Sequence, residues 1–369
     1  MADERPKLEV PDEDGDVAGV PQGTVVGGRY RLIKPLMSGG MASVFVADDL
    51  KHPGTMRAVK LMAPRLLKDA KSRERFEQEA LIGRAIKHPN IVDVLGAGVD
   101  PALESPWIAM ELLEGGTLAE TVQKRGKLTL GEVRGLFTDF GSALDAAHKA
   151  GVVHRDLKPE NLFLEARPSK SQPYTLKVLD FGIAKVKKDV TMKNSQLIGS
   201  PMWMAPEQLS PGTSLGPFTD VWPFGLIAFF ALVGKPYWTV ANERAINLPK
   251  LLVEIMTSDF VAPSARAKEL GVEVALPPEF DAWFLRCVAR DPVQRFASIA
   301  DAAHELDHAL QSRPSPSMKI QTQSPTADPP RVETHDPVVL PTGKRAPWAM
   351  VATAIGLMGV AALAYFLTR

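Results

Sequence analysis

The sequence predicts an α+β chain in which a small β-rich lobe precedes a larger α-helical one, followed by an apolar C-terminal span. Three observations carry that expectation. Strand-like runs cluster early, at residues 30–33, 57–60 and 107–110, whereas helical spacing of apolar residues appears later, over residues 129–150. Gly115 and Gly116, just past the third run, suit a flexible connection between two lobes. Residues 346–367 hold no charge at all.

Composition bounds the function. The chain has 369 residues, 45% hydrophobic and 23% charged, enough for one large domain with appendages. Its 43 basic and 43 acidic residues cancel, so general nucleic-acid binding is not expected. The single cysteine, Cys287, excludes an intrachain disulfide, fits a reducing compartment and reads as core packing. Residues 1–28 open on Asp3, Glu4, Glu9, Asp12, Glu13, Asp14 and Asp16, a composition that cannot offset its ordering entropy, so a flexible acidic tail is expected.

The chemistry concentrates in residues 152–185. One motif reads His154-Arg155-Asp156-Leu157-Lys158-Pro159-Glu160-Asn161, and a second reads Val178-Leu179-Asp180-Phe181-Gly182. Asp156 can accept a hydroxyl proton, while Asn161 and Asp180 offer oxygens to a hard cation beside a triphosphate. An apolar run ends in each Asp motif, so two short strands could deliver all three groups to one cleft. In this order and separation the motifs resemble the catalytic and metal-binding loops of bacterial Hanks-type (eukaryotic-like) serine/threonine protein kinases. The resemblance covers residues 29–310. It implies the bilobal protein-kinase fold, ATP as substrate, Mg²⁺ (with Mn²⁺ as the alternative ion) and protein substrates. Lys158 is the serine/threonine-type residue and would help neutralise the transferred phosphoryl group.

The remaining parts follow in order. Leu36, Met37, Ser38, Gly39, Gly40, Met41, Ala42, Ser43 and Val44 join two strand-like runs where kinases carry a glycine-rich hairpin over ATP. Of the three glycine positions, the first is Met37, the second Gly39 and the third Ala42, so the match is partial. Ala58 would line the ATP site, and Lys60 would address the α- and β-phosphates. Residues 71–87 read as a helix, whose Glu79 would pair with Lys60 by resemblance to the αC helix. Gly83 lowers that helix's stability by roughly 1 kcal/mol relative to alanine, which would make it easy to displace. Met110 would guard the back pocket, with the backbones of Glu111 and Leu113 meeting adenine.

Apolar spacing at Val133, Leu136, Phe137, Phe140 and Leu144 predicts a core-facing helix over residues 129–150. A polar insert at residues 166–175 reads as an exposed hairpin loop. Residues 185–197 resemble an activation segment with Thr191 and Ser195 as phosphosite candidates and Arg155 as the cation a phosphate would recruit. Ser200 reads as a positioning hydroxyl. Asp220 is expected to cap an apolar helix running to about Val233 and to brace the catalytic loop, with Pro223 in its first turn. Glu207, closing the Ala-Pro-Glu motif, is expected to form a buried structural pair with Arg295.

Residues 311–345 are rich in proline, serine and threonine and read as a linker. As a helix, residues 346–367 would span about 33 Å, enough for a bilayer core of roughly 30 Å. Lys344 and Arg345 precede it, which puts the N-terminal side in the cytoplasm of a single-pass inner-membrane protein. The expected activity is transfer of the γ-phosphoryl group of Mg-ATP to protein hydroxyls, with autophosphorylation. The alternative is a pseudokinase, a nucleotide-binding or scaffolding module, and its motive is the glycine-poor hairpin. A homodimer is left open.

Overall fold

Period-two burial builds the first lobe. In β2 (Tyr30–Ser38) the residues Tyr30 and Leu32 are buried while Arg31 is exposed, as half-buried strands require. With β1 (Val25–Val26), β3 (Ala42–Asp49), β4 (Met56–Met62), β5 (Val94–Asp100) and β6 (Ser105–Glu111) it forms an antiparallel sheet ordered β1-β2-β3-β4-β6-β5. In this computed structural model the described residues are 20–39, 42–62, 70–166, 173–180, 201–210 and 212–311. Adjacent residues of β4 serve opposite faces: Val59 and Leu61 join Tyr30, Leu32 and Phe45, whereas Ala58 and Met62 join Phe76, Ala80 and Met110.

The sheet begins at Val25, inside the stretch expected to be tail. Val26 is fully buried, and Gly27 and Gly28 turn the chain with φ of +58° and +62°. A side chain at Gly27 would also strike the Trp107 ring at 2.5 Å. Helix α1 (Ala70–Ala85) packs Phe76 and Ala80 beneath the sheet. Its Gly83 has a packing reason that the sequence did not reveal: an added Cβ would lie 2.4 Å from Val94 Cγ2. That glycine brings helix and strand together rather than merely loosening the helix.

The second lobe opens with β7 (Gly115–Thr117), α2 (Leu118–Arg125) and α3 (Leu130–Lys149). Thr117 with Glu120, and Thr129 with Glu132, form capping boxes that fix both helix starts. The strands β8 (Leu162–Ala166) and β9 (Tyr174–Val178) complete a three-stranded antiparallel sheet in the order β7-β8-β9. Ala166 and Thr175, expected in an exposed loop, belong to these strands because Ala166 pairs with Tyr174 and Glu165 with Thr175. Backbone bonds between Asn90, Val92 and Val178 tie β9 to the chain leaving α1.

The core of this lobe is α5 (Pro217–Val233), reached after the short α4 (Pro206–Leu209). Only Pro217, Phe218 and Phe230 of α5 escape full burial. Phe224 meets Phe137 and Phe140 of α3 at ring distances of 4.9 and 5.0 Å. Pro223 lies inside the helix rather than in its first turn, so the backbone N–H that would reach Thr219 is missing there. Burial on all sides holds the helix despite that loss. The helices α6 (Leu248–Thr257), α7 (Pro263–Glu269), α8 (Pro278–Cys287) and α9 (Ile299–Gln311) close around it. Cys287 is fully buried, where a Cβ on Gly225 would approach it at 2.6 Å, and burial pushes its thiol pKa well up. It is a packing residue, as expected.

Among the described residues no helix is long and apolar enough to cross a membrane. The predicted span at 346–367, the linker before it and residues 1–19 lie outside the described residues.

Candidate active site

The loop around Asp156 is held from beneath by Asp220, a buried carboxylate on α5. It accepts the backbone N–H groups of His154 and Arg155, both at 2.8 Å, and lies 2.7 Å from His148 Nε2. The bracing role expected of Asp220 is therefore present, but its capping role is not. The helix starts three residues earlier at Pro217, with Gly216 as its N-cap. Inside the first turn, the carboxylate is directed at the loop instead of its own helix.

Arg155 sits at φ +64° and Asp180 at φ +37°, conformations that cost a side-chain-bearing residue of order 1–3 kcal/mol. The surroundings over-determine both. The Arg155 carbonyl accepts from Gln208 Nε2 at 2.7 Å. Asp156 N–H donates to His154 Nδ1 at 3.3 Å, so His154 Nε2 carries the proton and donates to Leu179 O at 3.1 Å. Burial pushes the His154 pKa down, keeping this ring neutral. Leu179 N–H donates to Asn161 O at 2.9 Å, and Asn161 Nδ2 donates to Asp156 O at 2.8 Å. One continuous network thus brings Asp156, Asn161 and Asp180 to a common place.

The cations converge on the same cleft. Lys60 on β4 places Nζ 2.9 Å from Asp180 Oδ2, and Lys158 Nζ lies 3.9 Å from Asp156 Oδ2. Glu79 is on α1, but its side chain, and with it the expected Lys60–Glu79 pair, lies outside what is described. Val44, Ala58, Met110, Leu113 and Leu179 share one apolar cluster, which could receive a flat base. Glu111, at the end of β6, receives Asp93 N–H at 2.8 Å and Lys177 Nζ at 2.6 Å on its carboxylate, and its own N–H donates to Asp93 O at 3.0 Å.

The glycine-poor hairpin forms without strain at its two substituted positions. Met37 lies in β2 opposite Val44, the residue 63% exposed, and Ala42 begins β3 opposite Met62. Gly39 N–H donates to Ala42 O at 2.9 Å, and Ser38 and Ser43 join hydroxyls at 3.1 Å. Leu36 is half exposed on the same strand. Gly40 and Met41 lie outside the described residues, as do Thr191, Ser195 and Ser200.

The donor set suits a divalent ion. Asp180 offers a carboxylate, and Asn161, whose amide nitrogen is committed to Asp156 O, presents its oxygen as ligand atom. Two protein oxygens supplemented by water and phosphate are the usual equipment for such an ion beside a triphosphate.

Below the site, Arg295 forms a bidentate pair with Glu207 at 2.7 and 2.8 Å, both side chains buried. Arg295 also donates to Phe218 O and Ala289 O and lies 5.1 Å over the Trp222 ring. The expected ion pair is present. Gln208, His148 and Lys177 carried no motif signal; their roles arise from partners 53 to 72 positions away.

A carboxylate for an acceptor hydroxyl, two ligand oxygens for a metal and a lysine for phosphate are the apparatus of phosphoryl transfer. The protein kinase domain family matches residues 30–309. The serine/threonine-protein kinase PknB of Mycobacterium tuberculosis is 30% identical over 301 residues, covering 80% of this chain and 45% of that protein. Pkn1 of Myxococcus xanthus, also a serine/threonine-protein kinase, is 33% identical over 286 residues, covering 77% and 38%. The PknI kinase domain of M. tuberculosis superposes with a TM-score of 0.60 at 25% identity, covering 80% of this chain and 100% of that one. The chain belongs to the protein kinase domain family, in its bacterial Hanks-type serine/threonine branch. It spans less than half the length of these two curated relatives.

Proposed function

We propose that the chain is an ATP-dependent serine/threonine protein kinase that transfers the γ-phosphoryl group of ATP to protein hydroxyls, itself among them. The observation that carries this reading is the network joining Asp156, Asn161 and Asp180, with Lys60 2.9 Å from Asp180. Asp156 orients the acceptor hydroxyl and takes its proton, and Lys158 beside it offsets charge on the group in transit. Lys60 addresses the α- and β-phosphates, with Glu79 as its proposed partner. Asn161 and Asp180 would hold a divalent ion, Mg²⁺ or alternatively Mn²⁺, which when bound neutralises charge across the β- and γ-phosphates. Most of the acceleration then comes from positioning and electrostatics. The hairpin that motivated the scaffolding alternative keeps strand backbone without positive φ at Met37, just past a register shift at Leu36, so no observation favours that reading.

The finer proposals rest on sequence. Residues 311–345 act as a linker and 346–367 as a single transmembrane helix, leaving the kinase domain on the cytoplasmic face. Thr191 and Ser195 are the proposed switch hydroxyls. The Arg155 Nε, buried and without a hydrogen-bond partner among the described residues, supports a phosphate nearby. Protein substrates, the bilayer and a second copy of the chain are the proposed partners. A purified 1–312 fragment incubated with labelled ATP and Mg²⁺ tests the activity beside an Asp180→Asn control. Label incorporation no greater than in that control would reject it.

A further inference from the structure

We propose that Gln208 is a positioning residue for phosphoryl transfer, clamping the peptide that carries Asp156 through the carbonyl of Arg155. The proposal rests on the kinase reading above. It starts from strain: among the described residues only Glu104, Arg155 and Asp180 are non-glycine residues with positive φ, and Arg155 immediately precedes the proposed base. Such a conformation persists only where its neighbours impose it.

Both peptide groups of Arg155 are held. Its N–H donates to Asp220 Oδ1 at 2.8 Å, and its carbonyl accepts from Gln208 Nε2 at 2.7 Å. That carbonyl shares a peptide plane with the Asp156 N–H, which is bonded to His154 Nδ1. Fixing the plane fixes the N–Cα bond of Asp156, the axis from which its side chain departs, and so limits where that side chain can reach. Gln208 cannot swing away freely, because its Oε1 accepts Ala205 N–H at 3.0 Å. An amide N–H can only donate and a carbonyl can only accept, so this environment dictates the amide orientation. The residue that does this sits beside Glu207, itself anchored by Arg295. Gln208 therefore links the segment ending in Ala-Pro-Glu to the Asp156 peptide with one side chain.

The requirement is chemically narrow: one atom must accept and another donate. Gln208→Glu preserves shape and the acceptor but loses the donor when ionised. Gln208→Met preserves approximate length and loses both. In the full chain, steady-state transfer to a generic basic protein is measured for the wild type and both variants, with thermal midpoints and ATP titrations. The expected result is a kcat lower by about five- to thirtyfold, the kinetic equivalent of one hydrogen bond of roughly 1–2 kcal/mol. The KM for ATP should stay within about twofold of wild type, and the thermal midpoint should stay within about 2 °C.

Unchanged kcat in both variants overturns the proposal. So does a kcat loss matched by a raised KM and a lowered midpoint, which marks a merely structural residue. Should Gln208→Met fail to fold, Gln208→Glu decides alone. A wild type that binds ATP but transfers nothing rejects the kinase reading and this proposal together. An active wild type with equally active variants rejects only the clamp.

Discussion

Lys60 and Asp180 meet across the cleft: Nζ of the lysine lies 2.9 Å from Oδ2 of the aspartate. Lys60 belongs to the first lobe and Asp180 follows the last strand of the second sheet. The pair spans the groove in which a triphosphate would lie, and nucleotide would have to share both charges. This makes the two residues a single electrostatic unit rather than two independent contacts.

Separating positioning from proton transfer gives the first prediction. Asp156→Asn should keep nucleotide affinity while phosphoryl transfer falls by about 10²–10⁴-fold, the scale of a general base. Lys60→Met should lose most transfer as well, since the phosphates lose their orienting cation. Radiolabel transfer at the wild-type rate in either variant would show the assigned roles to be wrong.

The Glu207–Arg295 pair is buried and bidentate, so removing one partner strands the other charge. Glu207→Ala should destabilise the domain by about 3–5 kcal/mol in urea unfolding. A loss under about 1 kcal/mol would mean that the carbonyls of Phe218, Ala289 and Arg290 satisfy Arg295 without the carboxylate.

A third prediction concerns pH. Burial depresses the pKa of His154 below its ordinary 6.5. The unfolded chain therefore binds more protons there, and stability is fully present above about pH 6.5 and falls as pH drops toward the folded value. His88 is depressed in the same direction by burial and contributes with the same sign. His154→Gln should flatten, without abolishing, the fall in thermal midpoint between about pH 7.5 and 5.5. Parallel curves for variant and wild type would contradict the assignment.

Much of this site was legible because its residues are adjacent in sequence or carry a motif. Asp156 and Asn161 are five positions apart, and Lys60 interrupts a recognisable apolar run. The ends of α3 were legible too, since Thr129 is its cap and Ala150 its C-cap. What stayed hidden depends on contacts distant in sequence. Gly83 looks like a weak helix position until Val94 is placed beside it. Asp220 looks like a cap until the loop's N–H groups are placed above it. Gln208 shows locally only as a residue able to accept the Ala205 N–H at a helix start; its bond to the Arg155 carbonyl, 53 positions away, is revealed only by the folded chain.

The hairpin supplies a fourth prediction. Met37 and Ala42 each add a Cβ where kinases usually have glycine, and an exposed Met37 must be turned from the nucleotide. Met37→Gly with Ala42→Gly should lower the KM for ATP by about five- to thirtyfold, equivalent to 1–2 kcal/mol. An unchanged KM would show that the hairpin already accommodates both side chains.

Location is the fifth. Full-length protein should fractionate with membranes and resist carbonate extraction, whereas a chain ending near Ser312 should stay in the supernatant. Protease outside intact spheroplasts should spare the kinase domain, and cleavage there would reverse the proposed topology.

The all-round burial of α5 has a consequence for biosynthesis. Ribosomes deliver this chain vectorially, and α5 emerges before the helices α8 and α9 that cover it. At roughly 5–20 residues per second, a helix apolar on every side stands uncovered for several seconds. During that interval it is the segment most exposed to wrong partners, including neighbouring nascent chains. Production of this domain should therefore depend on translation speed and holdase supply more than its finished stability suggests, and fragments truncated before α9 should accumulate as aggregates.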